Sequence, residues 1–209
     1  MAKKQTEVIE LPRPQIKTMV VTIVGDSPLI CHAWSHKAKQ EMLDKQMKKA
    51  KAAKTAKDPH RDYCESLYWL SKDGSLLRAG DDTDAHDGGF GFPAVAFKAT
   101  AVSACRNVDG IPMTLARGAF HVDSEYVVIK GDKPQIREDM VRIGMGTADI
   151  RYRGEFRKWS VELTVRYNKN VLSAEQILNL FNTAGFACGV GEWRPSSKAG
   201  GSFGMFHVA

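Results

Sequence analysis

Apolar positions along the chain fall into segments of distinct period. Across residues 156–168, Trp159, Val161, Leu163, Val165 and Tyr167 share one side, and Ser160, Glu162, Thr164, Arg166 and Asn168 the other. A period of two with a single apolar face predicts a half-buried antiparallel strand. Residues 16–24 are dense in β-branched side chains and stop at Gly25-Asp26, which predicts a second strand with a turn behind it. Residues 126–130 predict a third, turned by residues 131–134, with 135–143 returning beside it. Residues 202–208 predict the last strand.

Three stretches are helical. From Trp34 to Lys57 there is no Gly or Pro, Ser35 is the expected N-cap, and Asp58-Pro59 ends the run. Its apolar residues Met42, Leu43 and Met47 occupy the first half, so the second half is expected to project into solvent. Residues 93–108 open on Pro93 and close at Asp109-Gly110, with Ala94, Val95, Ala101, Val102, Ala104 and Cys105 as the buried stripe. Ser173-Ala-Glu-Gln176 is a capping box for a helix through Ala184, with Ile177, Leu178, Leu180 and Phe181 inward and Gly185 as the stop. Residues 61–70 predict a short helix, or else residues 67–70 pair with Leu76-Leu77 in a hairpin around Asp73-Gly74. Residues 1–15 are expected to be a flexible tail. With residues 31–92 set aside as an insertion carrying the helical arm, the order is strand, helix, strand, strand, helix, strand. That order predicts an α+β fold of the ferredoxin-like, RRM-like βαββαβ type, a single domain over residues 16–209.

Composition narrows the function. With 43% hydrophobic and 26% charged residues in 209, the chain is expected to be globular, and no apolar run reaches the ~18–20 residues of a membrane span. No apolar stretch follows the N-terminal lysines, so no signal peptide is expected. Cys31, Cys64, Cys105 and Cys188 form no CxxC pair, which fits a reducing, cytoplasmic compartment. Residues 36–57 hold eight lysines against Glu41 and Asp44, an excess equal to the whole formal charge of +6. A neutral body with one basic arm, Lys48, Lys49 and Lys51 among it, suits an anionic partner, although such a run also serves simply as a solvated face.

Candidate chemistry gathers late in the chain. Residues 189–201 are rich in glycine and carry Trp193, Arg194 and Lys198, with Gly200 and Gly201 allowing close backbone approach to phosphate. There is no GxxxxGK[ST], so the loop is not expected to hydrolyse nucleotides. A second cluster, Arg151, Arg153, Arg157 and Lys158, interleaves with Tyr152 and Phe156, suited to holding phosphates and stacking bases, while Trp159 belongs to the apolar face. No nucleophile elbow, HExxH or Cys–His pairing is visible, so no catalytic residue is assigned. A zinc site of His32, His36, His60 and Cys64 is geometrically possible, but the 23 residues between His36 and His60 match no common zinc spacing, and no metal or other cofactor is expected. Asp81, Asp82, Asp84 and Asp87 lack EF-hand spacing and are expected to be a solvated loop, or one that meets the lysine arm of a neighbouring subunit.

The helix Phe92 to Arg106, the closing helix, the glycine-rich loop and the Ser202-Phe-Gly-Met-Phe206 segment together resemble the RAMP superfamily, the ferredoxin-like proteins of CRISPR effectors. The resemblance implies contacts to nucleic acid from Lys98 and Arg106 as well as from the loop. It also implies a thumb-like hairpin within residues 111–154, with Met145 as a wedge between bases. The expectation that follows is a non-catalytic subunit that binds single-stranded RNA or DNA and assembles with copies of itself into a filament, encoded by a phage relative and working in the host cytoplasm. Two alternatives remain open: an RNA endonuclease using His32 or His36, and a phage assembly factor or CRISPR-inhibiting protein with a protein partner.

Overall fold

The alternating segment becomes a strand, Trp159–Asn168, whose inward row is buried while Glu162, Thr164 and Arg166 face solvent. The computed structural model describes residues 11–50, 56–143 and 146–209. In chain order these form β1 (Ile16–Gly25), β2 (Leu29–Cys31), α1 (His36–Gln46), α2 (Pro59–Glu65), β3 (Tyr68–Leu70), β4 (Gly89–Pro93) and α3 (Ala94–Ala104), which runs into a 3-10 turn (Cys105–Asn107). Then come α4 (Met113–Ala119), β5 (Phe120–Asp123), β6 (Tyr126–Gly131), β7 (Gln135–Ile143), β8 (Thr147–Phe156), β9 (Trp159–Asn168), α5 (Ala174–Ala187) and β10 (Phe206–Val208).

The main sheet runs β10-β1-β9-β6-β4-β3, with β5 also on β9. Every pairing in it is antiparallel. Reduced to β1, α3, β5 with β6, β9, α5 and β10, this is the ferredoxin-like βαββαβ order, and the protein is an α+β fold. Packed α3 and α5 cover one face, with Phe97, Phe120, Phe181 and Phe206 fully buried between sheet and helices. Phe97 meets Phe206 at 5.9 Å and Phe120 meets Phe181 at 5.9 Å, both edge-to-face. Each such ring contributes roughly 1.5–3 kcal/mol by burial. No helix among the described residues is long and apolar enough to cross a membrane.

Several boundaries move, each for a physical reason. Ser35 caps α1, accepting from the Ala38 amide at 3.1 Å, but the helix stops at Gln46 rather than Lys57. It buries no residue, and Met42, Leu43 and Met47 stay about half exposed; a helix without tertiary cover is marginal at this length. Lys48 ends the turn in the left-handed region at φ 55°. Residues 51–55 lie outside the described residues, as do 1–10 of the expected tail and Met145 of the expected wedge. In α3, Pro93 is the N-cap and Val95 points outward, 67% exposed, while Phe97 and Thr100 join the buried face. Tyr68–Leu70 takes the hairpin alternative, bridged to Leu76 around Gly74. The capping box at Ser173 forms in full. Gly185, however, does not stop α5: a Cβ there would sit 1.8 Å from the Phe206 carbonyl oxygen, so the glycine admits β10 against the helix. The last strand is correspondingly short, and Gly204 belongs to the loop before it.

The largest difference concerns β7, which pairs with β8 and not with β6. With β2 on its other edge, β8 centres a second, three-stranded sheet, β2-β8-β7. Within residues 111–154, α4, β5 and β6 therefore belong with the main sheet, and β7 and β8 form the hairpin. Residues 31–92 supply β3 and β4 to the main sheet as well as α1 and α2.

Candidate nucleic-acid interface

The glycine-rich segment after α5 is pinned at many points. The Cys188 and Gly189 amides both donate to the Ala184 carbonyl at 2.9 Å, closing the helix, and Gly189 adopts φ 63°. The Thr100 hydroxyl of α3 donates to the Gly189 carbonyl at 2.6 Å. Val190 donates to Gly204 at 2.9 Å, Gly204 to Pro28 at 2.8 Å, and Glu192 to Ile30 at 3.1 Å. Two glycines serve close packing of the loop on itself. A Cβ at Gly204, φ 64°, would lie 1.7 Å from the Val190 carbonyl oxygen, and one at Gly201 would lie 1.8 Å from that of Trp193. Gly201 therefore contributes by packing against Trp193 rather than by lying open to a phosphate. Gly200 is different: exposed, at φ 60°, with nothing within 4 Å of its missing side chain.

The loop stands between two concavities. On one side a cleft of about 360 Å³ is walled by Ala96, Ala99, Thr100 and Ser103 of α3, by His32, Tyr68 and Phe92, and by loop residues that include Gly191, Glu192 and Arg194. The Arg194 guanidinium donates to the Gly191 carbonyl at 2.8 Å. Arg106 and Arg194 both come near Cys188, whose thiol pKa burial raises and the two guanidiniums partly lower. Burial raises the other three thiols too. On the other side a cavity of about 220 Å³ lies against the β7–β8 hairpin, lined by Val141, Arg142, Arg151, Arg153, Glu192, Trp193, Ser197 and Ala199.

An ion-pair network ties hairpin to loop. Arg153, only 2% exposed, reaches Asp139 at 3.2 Å and Glu192 at 3.5 Å. Arg137 bonds Asp139 and Glu155, each at 2.9 Å, and lies 4.5 Å over the Phe203 ring. Glu192 also accepts from His32 at 3.3 Å, and that hydrogen bond, with the charge of Arg153 behind it, holds its carboxyl below the usual range.

The structure brings some of the expected residues together and separates others. Arg151, Arg153 and Trp193 share the smaller cavity; Arg194 lines the larger cleft, which Arg106 does not; Lys198 and Gly200 are exposed on the loop. Tyr152 is on the opposite face of β8 from the two arginines, across from Glu138, because strand side chains alternate. Phe156 is a core residue, 1% exposed and paired in register with Leu29, so its burial removes it from any stacking role. Arg157 and Lys158 occupy the turn before β9 and line neither concavity. Lys98 turns away from the cleft toward β5 and meets His121 at 3.0 Å. Lys48 and Lys49 follow α1, with Lys49 paired to Asp44 at 3.0 Å, and Lys51 lies outside the described residues.

Three residues escaped the sequence reading. Arg142 borders the cavity from β7 with its side chain on the Tyr152 face of the hairpin, and Glu192 and Ser197 are polar residues of a loop whose path no periodicity reveals. The acidic loop finds cations of its own chain: Asp81 meets Arg61, Asp84 meets Lys133 at 2.8 Å, and Asp87 meets Lys72 at 2.7 Å. Among the described residues no three His, Cys, Asp or Glu side chains converge as a metal would require. Cys64 lies 3.9 Å from His60, while His32 is turned to Glu192.

No protein-family model matches the chain, and no curated protein does. Among solved structures the chain is similar to Cmr6 from Pyrococcus furiosus, with 10% identity, over 93% of this chain and 99% of that one, at a TM-score of 0.45.

Proposed function

We propose that the protein is a non-catalytic subunit that binds single-stranded RNA or DNA with little sequence preference and assembles with copies of itself along the strand. One observation carries this: a pinned loop with cations on both flanks, Arg194 on one side and Arg151 on the other, and with Lys198 exposed on the loop itself. Such cations along a ridge suit a sugar-phosphate backbone, which is held by charge and read by shape. The same α3 and loop carry the resemblance to the RAMP superfamily. The lysines of residues 36–57 would dock on a neighbouring copy or track the strand.

Fluorescence anisotropy with a labelled oligouridine and oligothymidine, repeated across a salt series, tests the proposal. Three phosphate contacts predict a slope of log affinity against log salt of about −2. Absent or salt-insensitive binding would refute it. Before that, the ratio of absorbance at 260 and 280 nm, measured before and after nuclease, separates a nucleic-acid binder from a protein whose partner is another protein.

The His32–Glu192 pair at the larger cleft favours a second reading, an RNA endonuclease with His32 as general acid or base. His36, exposed in the first turn of α1, does not line the cleft. Cleavage of labelled RNA that disappears in His32→Ala would establish that reading, and intact RNA would end it.

A further inference from the structure

Two strands of the molecule keep an unused edge. β1 pairs with β9 over residues 16–24 but with β10 only over residues 23–25, and β7 pairs only with β8. In an antiparallel ladder each residue turns its N–H and C=O to the same side, so the bonds made on one side show which groups remain for the other. The Gln15 carbonyl accepts from Lys169 at 2.8 Å, which turns the odd-numbered residues of β1 to β9. The Thr22 carbonyl accepts from Ala209 at 3.0 Å, which turns the even-numbered ones the other way. Ile16, Thr18 and Val20 thus present their backbone groups to a side that, among the described residues, no strand covers.

On β8 two bonds agree with each other. The Ile150 carbonyl is turned to Lys57, and across the pair with β2 the Ile30 carbonyl, opposite Glu155, is turned away to the Glu192 amide. The even-numbered residues of β8 therefore face β2 and the odd-numbered ones bond the odd-numbered residues of β7. Ile136, Glu138, Met140 and Arg142 are left with their backbone groups at the outer edge of the second sheet.

An open edge is a template for another strand, and proteins commonly bend, shorten or cover it. Here both registers are unbroken, and neither stretch contains proline. Each also carries two exposed apolar side chains four residues apart: Ile16 and Val20 at 54% and 67%, Ile136 and Met140 at 52% and 68%.

The two edges are complementary. Set antiparallel with Thr18 opposite Glu138, Ile16 meets Met140 and Val20 meets Ile136 on one face. On the other face Lys17 comes opposite Asp139 and Met19 opposite Arg137, so no like charges are opposed. The lengths agree as well, because Pro134 then falls opposite Thr22, where Ala209 already holds the edge. Pro134 has no N–H to offer, and its carbonyl is taken by the Tyr63 hydroxyl at 2.8 Å. Pairing β1 with β1 of a second copy fits worse. It drives Pro14 of that copy against Ala209, and Arg13 and Gln15 are held in line by Asn170 and Lys169.

We propose that the β1 edge of one copy receives the β7 edge of the next, joining the main sheet of one molecule to the second sheet of its neighbour. The two surfaces differ, so the joint is heterologous and leaves one free edge at each end for further copies. The inference deepens the self-assembly of the proposed function and rests on that reading for the partner being a second copy, not for nucleic acid.

Proline tests each edge separately, since an outward N–H can be removed there without loss of a bond inside the molecule. Sedimentation velocity of the full-length, nuclease-treated protein is expected to show species that grow with concentration. Thr18→Pro and Met140→Pro should each be monomeric, with unfolding midpoints close to that of the parent. Mixed together they should form a one-to-one pair and nothing larger, because Thr18→Pro keeps the β7 edge and Met140→Pro keeps the β1 edge. Should either fold poorly, Val20→Lys with Ile136→Lys opposes two cations in the joint and should weaken association roughly tenfold, and Val20→Lys with Ile136→Glu should restore it. A parent that stays monomeric with or without oligouridine, or variants that associate as the parent does, would overturn the joint. If that monomer still binds oligouridine with the expected salt slope, the joint fails and the nucleic-acid reading stands. Association through these edges without any oligouridine binding would sustain the joint and remove the strand.

Discussion

The two sides of the glycine-rich loop differ less in size than in how fully their polar atoms are used. In the larger cleft, Thr100 bonds Gly189, Ser196 bonds Cys188, Arg194 bonds Gly191, and His32 bonds Glu192. The α3 wall there is mostly small side chains, Ala96, Ala99 and Ser103. Around the smaller cavity three buried donors, on Arg153, Trp193 and Ser197, have no partner, and Glu192 is the one carboxylate in the lining. A volume says what fits, but unspent hydrogen-bonding capacity says what is wanted, since an unmade buried bond costs more than a made one gains. The larger cleft is thus closed by its own hydrogen bonds, whereas the smaller cavity is bordered by buried donors that remain unsatisfied.

The first way to break this comparison is to remove what holds the two sides together. Arg153→Leu leaves Asp139 buried with less compensation and frees Glu192, and it should cost about 3–5 kcal/mol, measured as a shift in the denaturant midpoint. A cost near zero would mean that the network does not support the hairpin. Next comes the loop itself. Gly204→Ala meets the Val190 carbonyl at positive φ and should cost about 2–4 kcal/mol, whereas Gly200→Ala meets nothing and should cost about 1 kcal/mol from backbone strain alone. Equal effects at the two glycines would show that the loop is not packed on itself.

These features were unevenly legible in the sequence. Trp159–Asn168 and the Ser173 cap declared themselves because a buried face and a capping pair are local patterns. The extent of α1 was not, because residues 34–57 favour helix everywhere, and only the missing tertiary cover decides where it ends. Gly185 looked like a stop because a helix interior avoids glycine, and the reason it is tolerated, the approach of Phe206, is twenty-one residues away. At the site, Arg151, Arg153 and Trp193 come to line one cavity, but strand parity sends Tyr152 to the other face and Phe156 into the core. Parity becomes meaningful only once the partner strand is known, and the pairing of β7 with β8 is a long-range choice.

Charge removal on each flank sharpens the comparison further. Arg151→Ala takes a cation from the cavity side, and Arg194→Ala takes one from the cleft side. If the strand crosses both, each variant should flatten the salt slope by about 0.7 and weaken oligonucleotide binding by roughly three- to tenfold at low salt. Anisotropy titrations at three salt concentrations measure both quantities. A loss confined to one variant assigns the strand to that flank alone.

The smallest effect concerns Glu192, the one carboxylate common to both concavities. Its bond from His32 and the nearby Arg153 lower its pKa in the folded protein. A carboxyl so depressed stabilises the fold at pH values above its unfolded pKa of about 4.3, and that contribution is lost as pH falls through the folded value. The side chain is 39% exposed, so solvent screens the pair and the effect is small. Denaturant midpoints of the protein and of Glu192→Gln should therefore differ most above the unfolded pKa and converge as pH falls through the depressed folded value. Curves that stay equally far apart at the acid end would mean that the glutamine disturbs packing rather than charge. In that case Glu192 would no longer be the electrostatic hinge between cleft and cavity.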